Sequence, residues 1–132
     1  MGDSISAAYG IQREQGWVAL LGQRLRQHSR ATNIVNASLS GETTAGGRVR
    51  MMRILESHKP DIVILELGGN DGLRGYPVAS IRENVEVMVK LARDHGAAVI
   101  ILGMAIPANY GPRYTNAFRA VFIETALGTD SQ

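Results

Sequence analysis

Apolar residues follow two patterns along the chain, unbroken β-branched runs and stripes at helical spacing. The unbroken runs lie at residues 61–67 and 98–102, with a weaker one at 33–36. Because these runs lack polar alternation, they predict strands that are covered on both faces. They alternate with amphipathic stretches, an order that is typical of a parallel α/β sheet.

Helices are predicted between and after these strands, at about residues 15–27, 48–58, 78–95 and 113–126. We find neither an internal repeat nor a linker, and we expect one domain over residues 1–132. The residues predicted to face inward are Trp17, Leu20, Leu21 and Leu25 in the first helix, Val49, Met52 and Leu55 in the second, Ile81, Val85, Met88 and Ala92 in the third, and Phe118, Val121 and Phe122 in the last.

Composition narrows the class of protein. A length of 132 residues with 45% hydrophobic and 20% charged residues suits one globular domain. The absence of cysteine excludes disulfides, cysteine-ligated zinc, iron–sulfur clusters and a thiol nucleophile. The net charge of +2 does not favour a nucleic-acid partner, and no apolar run approaches the ~18 residues of a membrane span. The first residues also lack the basic and apolar regions of a signal peptide.

The loops that follow the predicted strands are candidates for a ligand site, because parallel sheets bind ligands beyond the carboxyl ends of their strands. Gly41 and Asn70 lie in two such loops, each rich in glycine and small polar residues. Gly-Asp-Ser at residues 2–4 is common in surface turns, and taken alone it suits a turn before a helix. The order of Ser4, Gly41 and Asn70 instead favours a single site at one end of the sheet.

Four sequence blocks carry a further signal. They are Gly2-Asp3-Ser4-Ile5-Ser6, residues 36–43, residues 66–75, and residues 107–111 followed by Arg113 and Tyr114. These blocks resemble the GDSL or SGNH hydrolase family, in its bacterial branch of thioesterases, lysophospholipases and arylesterases. The resemblance implies a flavodoxin-like, three-layer α/β/α fold with a parallel sheet. It further implies a serine hydrolase that cleaves carboxylic esters or thioesters through an acyl-serine intermediate, without a cofactor or metal.

The resemblance also implies a role for individual residues. Ser4 is the expected nucleophile, and its backbone N–H, that of Gly41 and the side-chain amide of Asn70 are the expected oxyanion donors. Such donors meet the negative charge of the tetrahedral intermediate, and glycine leaves room for the oxyanion. The residues expected to line an acyl pocket are Leu73, Ile106, Pro107 and Tyr110.

Neighbouring acidic residues have structural interpretations. Asp3 is expected to form part of the turn that carries Ser4. Asp71 is expected to orient its own loop through bonds from its side chain to the backbone. Glu66 lies inside a predicted strand and therefore needs a partner, for which Arg74 is a candidate.

The chain departs from the family pattern at both ends. The family has a strand before Gly-Asp-Ser, where this chain has only Met1, and a late Asp-x-x-His segment, whereas no histidine follows Asp130. His28, His58 and His95 are predicted at the opposite end of the strands, where none can act as the base. We therefore expect an incomplete domain that is truncated at both ends, or one completed by a partner chain or a swapped dimer.

Two functions of different class suit this sequence, whereas a nucleotide-binding flavodoxin-like protein is disfavoured because no Gly-x-Gly-x-x-Gly or P-loop pattern appears. The first is an esterase or thioesterase acting on small acyl substrates. The second is an inactive fragment or pseudoenzyme without the His–Asp base, at most an acyl-chain or lipid-binding domain. Members of this branch are often exported, which implies a periplasmic protein with its signal upstream of the residues given, or otherwise a cytoplasmic one.

Overall fold

A computed structural model describes residues 1–28 and 32–129, so Asp130 lies outside the described residues. Its main elements alternate between helices and two short strands. In chain order they are α1 (Trp17–His28), α2 (Thr44–His58), β1 (Ile62–Leu65), α3 (Gly69–Leu73), α4 (Val78–Asp94), β2 (Ala98–Ile101) and α5 (Pro112–Thr129), with 3-10 turns at Arg13–Gln15 and Ala108–Tyr110. None of the described helices is long and apolar enough to cross a membrane.

The two strands pair in parallel, as predicted, with Ile62 opposite Ala98. On its other side β1 meets the first two residues of the chain, where Gly2 forms a parallel bridge with Glu66. The backbone N–H of Glu66 donates to the carbonyl of Met1 at 2.9 Å. The chain therefore leaves the sheet beside the carboxyl end of β1 and immediately enters the segment that carries Ser4.

The strand predicted at residues 33–36 is wrong, because this segment is irregular. Met1 and Gly2 lie beside β1 at this position, and the chain turns away at Asp3. After residues 33–36, the Leu39 N–H donates to the Gly2 carbonyl at 3.0 Å.

The core lies between the sheet and helices α2, α4 and α5. The inward faces predicted for α4 and α5 are confirmed, because all their named residues are buried. Phe118 and Phe122 pack edge to face, with ring centroids 5.2 Å apart. The buried residues of these two faces are Ile81, Val85, Met88, Ala92, Phe118, Val121 and Phe122.

The inward face predicted for α2 is partly wrong. Leu55 is buried, but Val49 is 82% exposed and Met52 is 40% exposed. Gly47 and Met51 are buried instead. The space beside the Gly47 Cα is bounded by Leu67 and Met88, so α4 approaches α2 along the row that contains Gly47. This contact selects a face that the apolar spacing alone does not identify.

The expectation that the strands are covered on both faces is also wrong for the described residues. Val63 and Leu65 face the helices and are buried, whereas Ile62 is 57% exposed and Ile100 is 48% exposed. Helices α2, α4 and α5 share one core with the sheet, while α1 packs mainly on the 3-10 turn that precedes it. The second face of the sheet therefore remains open in this part of the chain.

Candidate active site

The segment that carries Ser4 is a compact turn held by its own backbone. Asp3 is buried, and one of its carboxylate oxygens accepts the Ile5 N–H at 3.0 Å. The Ala7 N–H donates to the Asp3 carbonyl at 2.9 Å, and the Tyr9 N–H donates to the Ser4 carbonyl at 3.0 Å. These bonds place Asp3 within the turn and leave the Ser4 side chain half-buried at its surface.

Ser4 lines a cavity of about 420 Å³ at the carboxyl end of the sheet. Its walls come from the Ser4 turn, from the segment after β1 and from the segment after β2. The lining residues are residues 3–5, Glu66, Gly69, Asn70, Leu73 and residues 102–106. Residues 102–105 were not singled out from the sequence as lining residues. Their position directly after a strand is the signal that could have identified them.

Asn70 connects three loops around this cavity. Its side-chain amide donates to the Glu42 carbonyl at 3.0 Å and more weakly to an Asp3 carboxylate oxygen at 3.4 Å. Gly68 turns the chain from β1 into α3 with a φ of 122°, and the Phe122 ring lies 3.0 Å from where its Cβ would be. Both the backbone conformation and this close approach favour glycine at the turn that delivers Asn70.

Gly41 lies in the exposed loop that precedes α2 and does not line the cavity. Arg50 holds this loop from α2, donating to the Ala37 carbonyl at 2.7 Å and pairing with the Glu42 carboxylate. Neither the Gly41 nor the Ser4 backbone N–H donates to another group within the residues that the structure describes. Of these two residues, only Ser4 lines the cavity.

Asp71 fixes the position of α3 against α2. The prediction that its side chain orients its own loop is therefore wrong. One carboxylate oxygen accepts the Thr44 backbone N–H at 2.9 Å, and the other accepts the Thr44 hydroxyl at 2.7 Å. Both residues are fully buried. The Thr44 N–H lies at the start of α2, where helix N–H groups lack intrahelical partners, so the Asp71 carboxylate from α3 satisfies it well.

Glu66 finds its partner in Ser6, and not in Arg74, which was the sequence candidate. The Ser6 hydroxyl donates to one Glu66 oxygen at 2.5 Å and accepts the Trp17 indole N–H at 3.1 Å. Burial raises the pKa of Glu66, the Ser6 hydrogen bond opposes that rise, and the nearby negative charge of Asp3 adds to it. Ser6 was not singled out in the sequence, although it belongs to the block that contains Ser4.

The four residues expected to line an acyl pocket occupy two different positions. Leu73 and Ile106 line the cavity. Pro107 and Tyr110 lie outside the cavity wall, but the Tyr110 hydroxyl donates to the Leu73 carbonyl at 2.6 Å. Tyr110 is thus bonded to the backbone of one residue of the cavity wall.

None of the three histidines lines this cavity. His28 ends α1, His58 ends α2 just before β1, and His95 follows α4 just before β2. His58 and His95 are thus at the amino ends of the strands, whereas the cavity is at their carboxyl ends. Within the described part of the chain, no group of three or more acidic or histidine side chains could hold a metal ion.

Sequence comparison identifies relatives that cover nearly the whole chain. The chain is 51% identical over 122 residues to esterase TesA of Pseudomonas aeruginosa, which spans 92% of this chain and 61% of that protein. It is 40% identical to an arylesterase of Vibrio mimicus, over 96% of this chain and 63% of that one. It is 36% identical to thioesterase 1/protease 1/lysophospholipase L1 of Escherichia coli K12, over 98% of this chain and 61% of that one. The chain thus spans about 61–63% of the length of these curated relatives.

The solved structures agree with the sequence relatives. A crystal structure of TesA superposes with a TM-score of 0.93 at 50% identity, covering 96% of this chain and 71% of that chain. A psychrotrophic esterase, EstA from a Pseudoalteromonas species, superposes with a TM-score of 0.93 at 40% identity, covering 100% of this chain and 72% of the other. Residues 1–129 match the sequence profile of the GDSL-like lipase/acylhydrolases. The chain therefore belongs to the GDSL-like lipase/acylhydrolase family.

Proposed function

We propose that this chain provides the nucleophile and the oxyanion donors of a serine esterase or thioesterase that acts on small acyl substrates. The single observation that carries the proposal is the placement of Ser4 and Asn70 on the wall of one cavity. The cavity also contains apolar side chains, among them Leu73 and Ile106, that suit an acyl chain. The names of the relatives, an esterase, an arylesterase and a thioesterase, support the same reaction class.

In the proposed reaction, the Ser4 Oγ attacks the substrate carbonyl carbon, and the carbonyl oxygen takes up negative charge. The hydroxyl proton passes to a general base, a role for which none of the described histidines is placed, and then to the departing alcohol or thiol, which leaves an acyl group on Ser4. Water then attacks the acyl-serine, releases the carboxylic acid and restores the Ser4 hydroxyl. Cleavage of an ester or thioester by this route consumes one water molecule.

Three N–H groups are proposed to stabilise the oxyanion. The backbone amides of Ser4 and Gly41 donate to no other group in the described part of the chain, so each is free to bind a substrate oxygen. The Asn70 amide is engaged strongly by the Glu42 carbonyl, but its 3.4 Å contact with Asp3 exceeds the usual N–H···O distance. The weakly held proton is the one that we expect to turn toward the substrate.

Labelling by a fluorophosphonate tests whether Ser4 is an activated nucleophile. We expect covalent labelling of Ser4, release of nitrophenol from a short-chain nitrophenyl ester, and loss of both in Ser4→Ala. Asn70→Ala should slow acylation by about 10²- to 10³-fold, the usual effect of removing one oxyanion donor. Ser80→Ala, at an exposed position in α4, is the matched serine control.

The second candidate is an acyl-binding domain without chemistry. It is favoured by one observation, that no described histidine reaches the cavity. Its signature is binding of a short fatty acid with labelling of Ser4 no faster than that of a free serine. That result would exclude the hydrolase for this chain, whereas turnover that depends on Ser4 would exclude the binding domain. We also propose a periplasmic location, which fractionation of the native host tests.

A further inference from the structure

Glu66 places a buried carboxyl group beneath the turn that carries Ser4. The residue is 5% exposed and lies at the carboxyl end of β1, among the residues that line the cavity. One carboxyl oxygen binds the Ser6 hydroxyl, while the other is buried without a hydrogen-bond partner in the described residues. A buried carboxyl group with an unsatisfied oxygen is costly to retain, so it calls for a specific explanation.

The direction of the hydrogen bonds around Ser6 is fixed by the chemistry of its neighbours. The Trp17 indole N–H can only donate, so the Ser6 oxygen must accept from it. An ionised Glu66 can only accept, so the single hydroxyl proton of Ser6 then points to Glu66. With Glu66 ionised, the chain of bonds from Trp17 through Ser6 to Glu66 therefore has one arrangement, which holds the Ser6 side chain in one orientation.

Glu66 also contacts the other end of the same turn. Its backbone forms the parallel bridge with Gly2, and its carboxyl oxygen lies only 2.6 Å from where a Gly2 Cβ would be. The Ser6 hydroxyl oxygen approaches the same point, also at 2.6 Å. The pair formed by Glu66 and Ser6 thus occupies the space of a side chain at residue 2, which gives a physical reason for glycine at this position.

We infer that Glu66 is a positioning residue for Ser4, which it fixes by holding Gly2 at one end of the turn and Ser6 at the other. Ser4 lies midway between these two anchors, two residues from each. Glu66 itself makes no contact with Ser4 through a hydrogen bond and takes no part in the proposed chemistry. A small displacement of a nucleophile strongly lowers its rate of attack, so loss of this positioning should slow the reaction of Ser4. That expected effect on the rate rests on the proposed function.

Substitutions at Glu66 and Ser6 test the inference. We expect Glu66→Ala to slow fluorophosphonate labelling of Ser4 by about tenfold or more, the effect of losing one well-formed hydrogen bond. Ser6→Ala should have a similar effect, and the double variant should be no slower than the slower single variant, because both remove the same interaction. Glu66→Gln keeps an oxygen that accepts the Ser6 proton, so it should retain the rate within about threefold.

Val89→Ala is the control for a general loss of stability. Val89 is buried in α4 and does not line the cavity, so its truncation should lower the free energy of unfolding and leave labelling of Ser4 unchanged. Additive effects of Glu66→Ala and Ser6→Ala would overturn the inference. Equal loss of labelling in Glu66→Gln and Glu66→Ala would also overturn it, because the retained acceptor would then have no role.

Amide hydrogen exchange separates the failure of this inference from that of the proposed function. The Ala7 and Tyr9 N–H groups bind within the Ser4 turn, so Glu66→Ala and Ser6→Ala should accelerate their exchange relative to amides in α4. This measurement needs no reaction at Ser4. Unchanged exchange at Ala7 and Tyr9 contradicts the inference, whereas absent labelling of the unsubstituted chain contradicts only the proposed function.

Discussion

Two of the buried acidic residues, Asp71 and Glu66, have different hydrogen-bonding environments. Asp71 accepts through both carboxylate oxygens from Thr44, and the Thr44 hydroxyl accepts in turn from Asn84 at 3.1 Å. Glu66 accepts from one donor and leaves its second oxygen without a partner in the described residues. Asp71 should therefore contribute to stability, whereas Glu66 should cost stability when it is charged.

Substitution of Asp71 tests the first part of this contrast. Asp71→Ala leaves the backbone N–H and the hydroxyl of Thr44 buried without their acceptor, so we expect a loss of about 3 kcal/mol in the free energy of unfolding. Urea denaturation gives the value. Asp94→Ala is the control, because its exposed pair with Lys90 should contribute less than about 1 kcal/mol. Equal losses in the two variants would contradict the assignment.

The raised pKa of Glu66 predicts a pH dependence of stability. Both folded and unfolded chains hold this proton at a pH below the ordinary pKa of glutamic acid, so stability is then fully present. As pH rises through the higher pKa of the folded chain, the group must ionise in a buried position and stability is lost. We expect the unfolding free energy of the wild type to fall relative to that of Glu66→Gln as the pH rises above the ordinary pKa of glutamic acid. A difference that does not change with pH would show that Glu66 does not titrate as described.

At the scale of elements, helices α2 and α4 end in the same way with different residues. Lys59 follows α2 with a φ of 43°, a left-handed conformation, and its N–H donates to the Leu55 carbonyl at 2.8 Å. Gly96 has a φ of 80° just beyond α4 and has open space where a Cβ would lie. Glycine suits this conformation, whereas a lysine adopts it at a cost in free energy.

A pair of reciprocal substitutions tests this difference. We expect Lys59→Gly to raise the free energy of unfolding by about 0.5–1 kcal/mol and Gly96→Ala to lower it by about 1 kcal/mol. Both residues are exposed, so changes in packing contribute little. Thermal denaturation of the two variants supplies the measurement, and shifts of the same sign would contradict the role of backbone conformation.

At the scale of the whole molecule, the described chain has one well-packed face and one open face. Helices cover Val63 and Leu65, whereas Ile62 and Ile100 are about half exposed on the opposite face. Strand β2 also pairs only with β1 within the described residues, so its outer edge carries free backbone groups. An exposed apolar strand at an unpaired edge favours association between chains.

Substitution on this face tests the consequence for association. We expect the chain as given to form concentration-dependent assemblies in sedimentation velocity, and Ile100→Lys to reduce them, because a charge on an edge strand opposes pairing. Val49→Lys introduces the same charge at an exposed position on α2 and should not reduce association. If both lysine variants act equally, net charge and not the strand edge is responsible.

The sequence by itself determined the parallel α/β class, both strands that form, and the buried faces of α4 and α5. These features depend on local periodicity, which is strong in long helices and in unbroken β-branched runs. The sequence also indicated that Ser4 and Asn70 lie in one site, because loops that follow parallel strands meet at one end of a sheet. The structure places both on one cavity wall, and their catalytic roles stay predictions.

Only the tertiary structure decided which neighbours each residue meets. The face of α2 depends on the approach of α4 at Gly47. The partners of Glu66 and Asp71 lie 60 and 27 positions away, so no local pattern identifies them. Contacts between residues so far apart in the sequence form only when the whole chain packs. Their free energy depends on burial and on the relative positions of the two residues, and a short stretch of sequence specifies neither.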